Sequence, residues 1–169
     1  MWKKNNRQFT NGIGGRRMKF VNIVPTQLLD KPEYWCSEWH LILAQKLGKN
    51  KYTEKVKGLK KLGAKVILDN GIFETDKSVD LEKLVRQALD IKAQALVLPD
   101  CENYKKLSLD LEEAQGIINE DFSDVKLIAV LQGNRILRVY DMYRRLQENP
   151  LVDIVAIPDR LLRDKISSQ

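Results

Sequence analysis

Histidine, cysteine and long apolar runs are scarce in this chain, and each scarcity removes a class of chemistry. Only one histidine, His40, and two cysteines, Cys36 and Cys101, occur among 169 residues. The cysteines stand 65 residues apart, without the paired spacing of a zinc site, so no metal is expected. Two cysteines cannot build a disulfide framework either, which points to a reducing compartment, the cytoplasm. Cys101 has no histidine near it in sequence to activate a thiolate and reads as a small packing residue. No apolar run approaches the ~20 residues of a membrane span, and no signal-peptide pattern opens the chain, so no membrane partner is expected. The phosphate-binding glycine signature is missing as well. Gly12-Ile13-Gly14 is followed by Gly15 rather than by the GxGxxG spacing, and no strand precedes it. With no cofactor motif, no cofactor is expected.

What remains is an ordinary globular composition, 43% hydrophobic and 31% charged. The net charge of +6 suits a nucleic-acid partner, since phosphates attract it. Part of the excess is local: Lys3, Lys4, Arg7, Arg16 and Arg17 fall within the first seventeen residues without an acid. Residues 1–17 therefore read as a basic flexible leader, or as a short arm on nucleic acid, with Met18 a natural start. Residues 18–169 read as one domain. It is long enough for a sizeable core and short of the roughly 250 residues of an eight-fold barrel.

From Lys19 onward the pattern alternates. Phe20–Pro25 and His40–Ala44 read as strands, and Lys51–Leu62 as a helix that Gly63 can close. Residues 26–38 read as a loop or short helix. Four apolar runs then recur about every thirty residues, ending at Asp69, Asp100, Gln132 and Asp159. Asp80 can cap a helix whose Leu81, Leu84, Val85, Ala88, Leu89 and Ile91 form a stripe. Helices over Leu107–Ile118 and Ile136–Leu146 separate the later strands. Strands apolar at consecutive positions are buried on both faces, and their alternation with helices gives an α/β fold with a parallel sheet. Six strands suit a (β/α) barrel of the TIM type that is incomplete, although doubly wound sheets of this size exist.

Chemistry in such folds sits where strands hand over to the following loops. Asp69-Asn70-Gly71-Ile72-Phe73-Glu74 offers a carboxylate, a glycine that admits close backbone approach and an aromatic for stacking. Together these suit a planar heterocycle. The alternative is a tight Asn-Gly turn with Phe73 in the core. Asp100 can accept two hydrogen bonds from ring N–H and amino groups of a guanine-like base, or it can cap its own loop. Gln132-Gly133 offers an amide that is donor and acceptor beside a flexible backbone. Asp159 with Arg160 reads as a further strand-end pair or as a surface ion pair. His40 reads as a catalytic candidate or as a satisfied core histidine.

Taken in order, Asp69–Glu74, Asp100 and Leu131-Gln132-Gly133 resemble the motifs of the tRNA-guanine transglycosylase superfamily. Within that superfamily they resemble the shorter phage-associated branch, thought to insert 7-deazaguanines into DNA. The resemblance spans roughly residues 19–160. It implies a (β/α)₈ barrel and a glycosyltransferase (pentosyltransferase) activity that exchanges guanine for a 7-deazaguanine, of the queuosine type, in tRNA or DNA. It further implies that Asp69 is a general acid/base or orienting carboxylate, that Asp100 and Gln132 recognise the base, and that Asn70, Gly71, Phe73 and Gly133 shape the pocket. The family's nucleophilic Asp, and the zinc site of members that carry one, lie beyond the segment equivalent to the sixth strand. The chain ends before both, so activity is expected to be incomplete in this chain alone. A second copy or a partner chain is expected to complete the barrel. Two other classes fit the same residues: a non-catalytic purine- or nucleic-acid-binding protein, and an unrelated α/β enzyme of small-molecule metabolism.

Overall fold

A computed structural model describes residues 21–23, 30–31, 37–71, 79–121, 123–133, 135–158 and 161. The proposed leader, Cys36, Phe73, Glu74, Asp159 and Arg160 lie outside the described residues.

Six strands form one sheet: β1 (Val21–Ile23), β2 (Trp39–Leu43), β3 (Lys65–Asp69), β4 (Ala95–Val97), β5 (Lys126–Val130) and β6 (Ile154–Ala156). Every neighbouring pair is parallel and the order is β1-β2-β3-β4-β5-β6. This order never reverses, so the sheet lacks the switch point that defines a doubly wound fold. Between the strands run α1 (Asn50–Lys61), α2 (Leu81–Asp90), α3 (Tyr104–Glu120) and α4 (Ile136–Glu148). The second strand starts one residue earlier than the sequence suggests. It takes in Trp39 and yields at Ala44 to a 3₁₀ turn, Ala44–Lys46. No helix among the described residues is long and apolar enough to cross a membrane.

Parallel connections of one hand place their helices on one side of a sequentially ordered sheet. The strand residues that meet them are fully buried: Ile42, Val66, Leu68, Leu96, Leu98, Leu127 and Ala129. Against these pack Tyr52, Val56 and Leu59 of α1, and Leu84, Val85 and Ala88 of α2. Leu107, Leu111, Ala114 and Ile118 of α3, with Met142 and Leu146 of α4, complete the layer. The spacing of these helix residues is the apolar stripe that the sequence displays. On the opposite face the strands carry Leu41, Ile67, Val97 and Val130, which are half-buried.

Helix ends follow local rules. Asp80 caps α2, its Oδ1 accepting from Lys83 N–H at 3.2 Å. Gly63 stands just past α1 at φ +81°, and the N–H of Ala64 reaches back to Leu59 O at 3.1 Å. This is the paired-carbonyl ending that glycine favours. The same ending follows α2, with Ala93 N–H to Ala88 O at 2.8 Å, but there Lys92 takes the left-handed position at φ 51°.

One device recurs at the N-terminal ends of the strands. Gln94, just before β4, donates its N–H to Val66 O at 2.8 Å, and its Oε1 accepts from Val66 N–H at 2.7 Å. Asp153, just before β6, repeats this on β5. Its N–H bonds Leu127 O at 3.2 Å and its Oδ2 accepts from Leu127 N–H at 2.9 Å. In each case a side chain supplies the acceptor that a further strand residue would have supplied. Each strand is thereby clasped to its neighbour at the second residue.

Candidate functional site

Because all six strands run the same way, their C-terminal ends form one rim. β3 ends there in Asp69, β4 leads through Leu98 and Pro99 to Asp100, and β5 leads through Leu131 to Gln132. Three of the residues singled out by sequence thus occupy the ends of three adjacent strands. Strand alternation puts Asp69 with Lys65 and Ile67 on the face away from the helices, and Gln132 with Ile128 and Val130 on the same face; counted the same way, Asp100, beyond Pro99, falls in step with Leu96 and Leu98. Extending the β3–β4 register by one residue sets Asp69 level with Val97, so Asp69 sits deeper than Asp100 or Gln132. Asp69 and Asp100 are half-buried, and Gln132 is 4% exposed.

The rim is held by bonds that continue the sheet past its strands. Leu98 N–H donates to Ile128 O at 3.0 Å and Leu131 N–H to Ala156 O at 2.9 Å. Asn70, expected to contact substrate, is 1% exposed, and its Nδ2 donates to Leu98 O at 2.8 Å. Its position alternates with Val66 and Leu68, so it belongs to the helix-facing side. There it ties the end of β3 to that of β4. Gly71 adopts φ +70°, its N–H donates to Asp69 Oδ1 at 3.3 Å, and the side chain of Gln45 fills the space a Cβ would need. Gln45 Nε2 in turn donates to Asn70 O at 2.6 Å. Gly133 takes φ +140° with Val139 Cγ2 3.2 Å from where its Cβ would stand. Cys101 is half-buried with Sγ 3.3 Å from Asn103 O.

His40 is not at the rim. It is the second residue of β2 and level with Val66. It is fully buried on the helix-covered side, with Nε2 2.9 Å from Ser37 O. Leu43, which pairs with Asp69, stands three positions further along β2, and a strand advances about 3.3 Å per residue. This placement fits the reading of His40 as a core histidine. Burial pushes the imidazole below its ordinary 6.5, against a smaller opposing pull from Ser37. A depressed pKa means that the unfolded chain takes up the proton first. The contribution to stability is therefore full above about pH 6.5 and declines as pH falls toward the lower folded value. As the sole histidine, His40 makes the test clean. Urea midpoints of the wild type should fall between about pH 8 and pH 5.5 by more than those of His40→Gln. Parallel curves would place the acid sensitivity elsewhere.

Sequence reasoning missed Gln45, Gln94 and Asp153. The last two carried a signal: each is a lone polar residue between apolar neighbours immediately before a strand, in Ala93-Gln94-Ala95 and Val152-Asp153-Ile154. Gln45 acts on Asn70 across 25 residues and had none. A separate groove of about 710 Å³ lies between α1 and α2, lined in part by Thr53, Glu54, Lys57, Lys83 and Arg86. None of the strand-end residues lines it, and its charges are partly internal, with Arg86 2.8 Å from Glu82 and Lys57 3.8 Å from Asp90. Compared with known proteins, the chain matches no family model and no curated protein.

Proposed function

We propose that the sheet is the greater part of a (β/α) barrel wall. Its C-terminal rim would bind a guanine-like base and exchange guanine for a 7-deazaguanine at a glycosidic bond in tRNA or DNA. One observation carries this reading: Asp69, Asp100 and Gln132 stand at the ends of three consecutive strands of a sheet whose order never reverses. Acceptors spread over adjacent strand ends complement the N–H and amino edge of a purine, whereas two carboxylates disfavour an anionic metabolite. In this chemistry a carboxylate attacks C1′, the C1′–N bond breaks with its electron pair moving to the departing base, and that base takes up a proton. The incoming base then reverses the sequence. Asp69, deepest of the three, would move that proton, and Asp100 and Gln132 would orient the ring. Asp159, the carboxylate that follows β6 in sequence, would be the candidate nucleophile within the chain.

Asp100→Asn should weaken base binding most, because it replaces a charged acceptor by an amide that is half donor. A charge-assisted hydrogen bond is worth about 1.5–3 kcal/mol, so the expected loss is roughly ten- to a hundredfold. Calorimetry with a 7-deazaguanine on the wild type and this variant measures it. Equal affinities would remove Asp100 from recognition and leave it a loop-capping residue. Base binding without exchange of labelled guanine would make the chain a binding protein.

A further inference from the structure

Asparagine followed by glycine is a dipeptide that readily loses its side-chain amide, because glycine has no Cβ to hinder ring closure. The sequence holds two such pairs, Asn11-Gly12 and Asn70-Gly71. The first lies outside the described residues, and the second follows the last residue of β3. Loss of the amide requires the backbone nitrogen of Gly71, stripped of its proton, to reach Cγ of Asn70. In the folded chain each of these groups is engaged elsewhere. Asn70 is 1% exposed, and Nδ2, the nitrogen that would depart, donates to Leu98 O at 2.8 Å. Gly71 N–H donates to Asp69 Oδ1 at 3.3 Å, and a carboxylate in that place opposes loss of the proton. Gln45 Nε2 donates to Asn70 O at 2.6 Å, which fixes the peptide plane that joins the pair. The Gln45 side chain also lies over Gly71 itself, in the space a Cβ would need. A reactive dipeptide is thus held in a conformation from which it cannot react.

We propose that Asn70-Gly71 is a guarded deamidation site whose reaction, once the strand end opens, releases the tie between β3 and β4 irreversibly. On opening, the Gly71 nitrogen gives its proton to solvent base and bonds to Cγ of Asn70. The Cγ–Nδ2 bond then breaks, and the nitrogen takes up a proton and leaves as ammonia. Water opens the resulting cyclic imide at either carbonyl, so one water is consumed and one ammonia lost. The product is an aspartate or an isoaspartate, and neither can close the site again. Aspartate sets a carboxylate against Leu98 O, acceptor to acceptor, where solvent does not reach. Isoaspartate adds a carbon to the main chain just before Gly71 and so displaces the N–H that Asp69 accepts. The site needs no ligand and stands apart from the base-exchange reading.

The test is to incubate the full chain in mildly alkaline buffer, with and without denaturing urea, and to follow both asparagines by peptide mapping and mass spectrometry. In urea the two pairs should react at similar rates, because both are then unfolded Asn-Gly dipeptides. In buffer alone Asn70 should react at least about a hundredfold more slowly than in urea, roughly tenfold for each buried bond that opening breaks. Gln45→Ala should speed Asn70 roughly tenfold in buffer and leave its rate in urea unchanged. Gln94→Met, which weakens the same strand pair at its other end, should not speed it. A rate in buffer equal to that in urea overturns the proposal. Equal acceleration by the two variants overturns it as well, since the amide would then be lost through global unfolding and not through the strand end. Asn70→Asp makes one product directly and should raise the unfolded fraction at a given urea concentration at least about tenfold. Asn119→Asp, on the exposed side of α3, should be nearly neutral. An equally neutral Asn70→Asp would show that the reaction releases nothing.

Discussion

Gly71→Ala is expected to destabilise the protein by about 2–4 kcal/mol, for two reasons that can be separated. At φ +70° an alanine carries the left-handed penalty of about 1–2 kcal/mol. Its methyl group would also occupy the position of the Gln45 side chain and force it away. The Gln45 bond to Asn70 O, 2.6 Å long, would break beside a residue that is 1% exposed. A lost bond to a buried carbonyl adds about 1–2 kcal/mol. In a Gln45→Ala background the collision is gone, and Gly71→Ala should then cost only the backbone part. Urea unfolding of the two single variants and the double variant gives the coupling directly. Equal penalties in both backgrounds would show that Gln45 does not sit over Gly71.

Gln94→Met should lower stability by about 1–3 kcal/mol. Methionine keeps the length and volume of the side chain but cannot accept the Val66 N–H, and Val66 is fully buried. The donor is then left without a partner in a place where solvent does not reach. Asp153→Ala should act likewise on Leu127 N–H, and the double variant should be additive because the clasps serve different strand pairs. As a comparison, Gln115→Met removes a bond of 2.8 Å to Asn119 on the exposed side of α3 and should cost under about 0.5 kcal/mol. The informative readout is a shifted urea midpoint at constant slope. A neutral Gln94→Met would mean that the clasp is incidental.

The strands and helices were legible because each carries its own periodicity. Four apolar runs announced strands β3 to β6, of which β6 is not buried, with Ile154 42% exposed; Leu84, Val85 and Ala88 announced the inner face of α2. Asp80 and Gly63 marked a helix start and a helix end by local chemistry. The site was legible only as a set of strand ends. Period two along β3 already sets Asn70 with Val66 and Leu68, on the side opposite Asp69. The separation of His40 from the rim could not be foreseen, because it depends on the register between β2 and β3. Nor could Gln45, whose partner is brought to it only by the pairing of those strands.

The clasps at Gln94 and Asp153 divide the labour of the sheet between its two ends. Pairing is set at the floor, where a side chain closes the ladder before β4 and before β6. Sliding β3 or β5 by one residue would break that closure. Beyond Asn70, Leu98 and Leu131, whose bonds still tie strand to strand, the loops after β3, β4 and β5 are therefore released from keeping the strands aligned. They can lengthen, shorten or exchange residues while every strand residue keeps its face. A fold built in this way can change what it recognises without renegotiating how it is assembled.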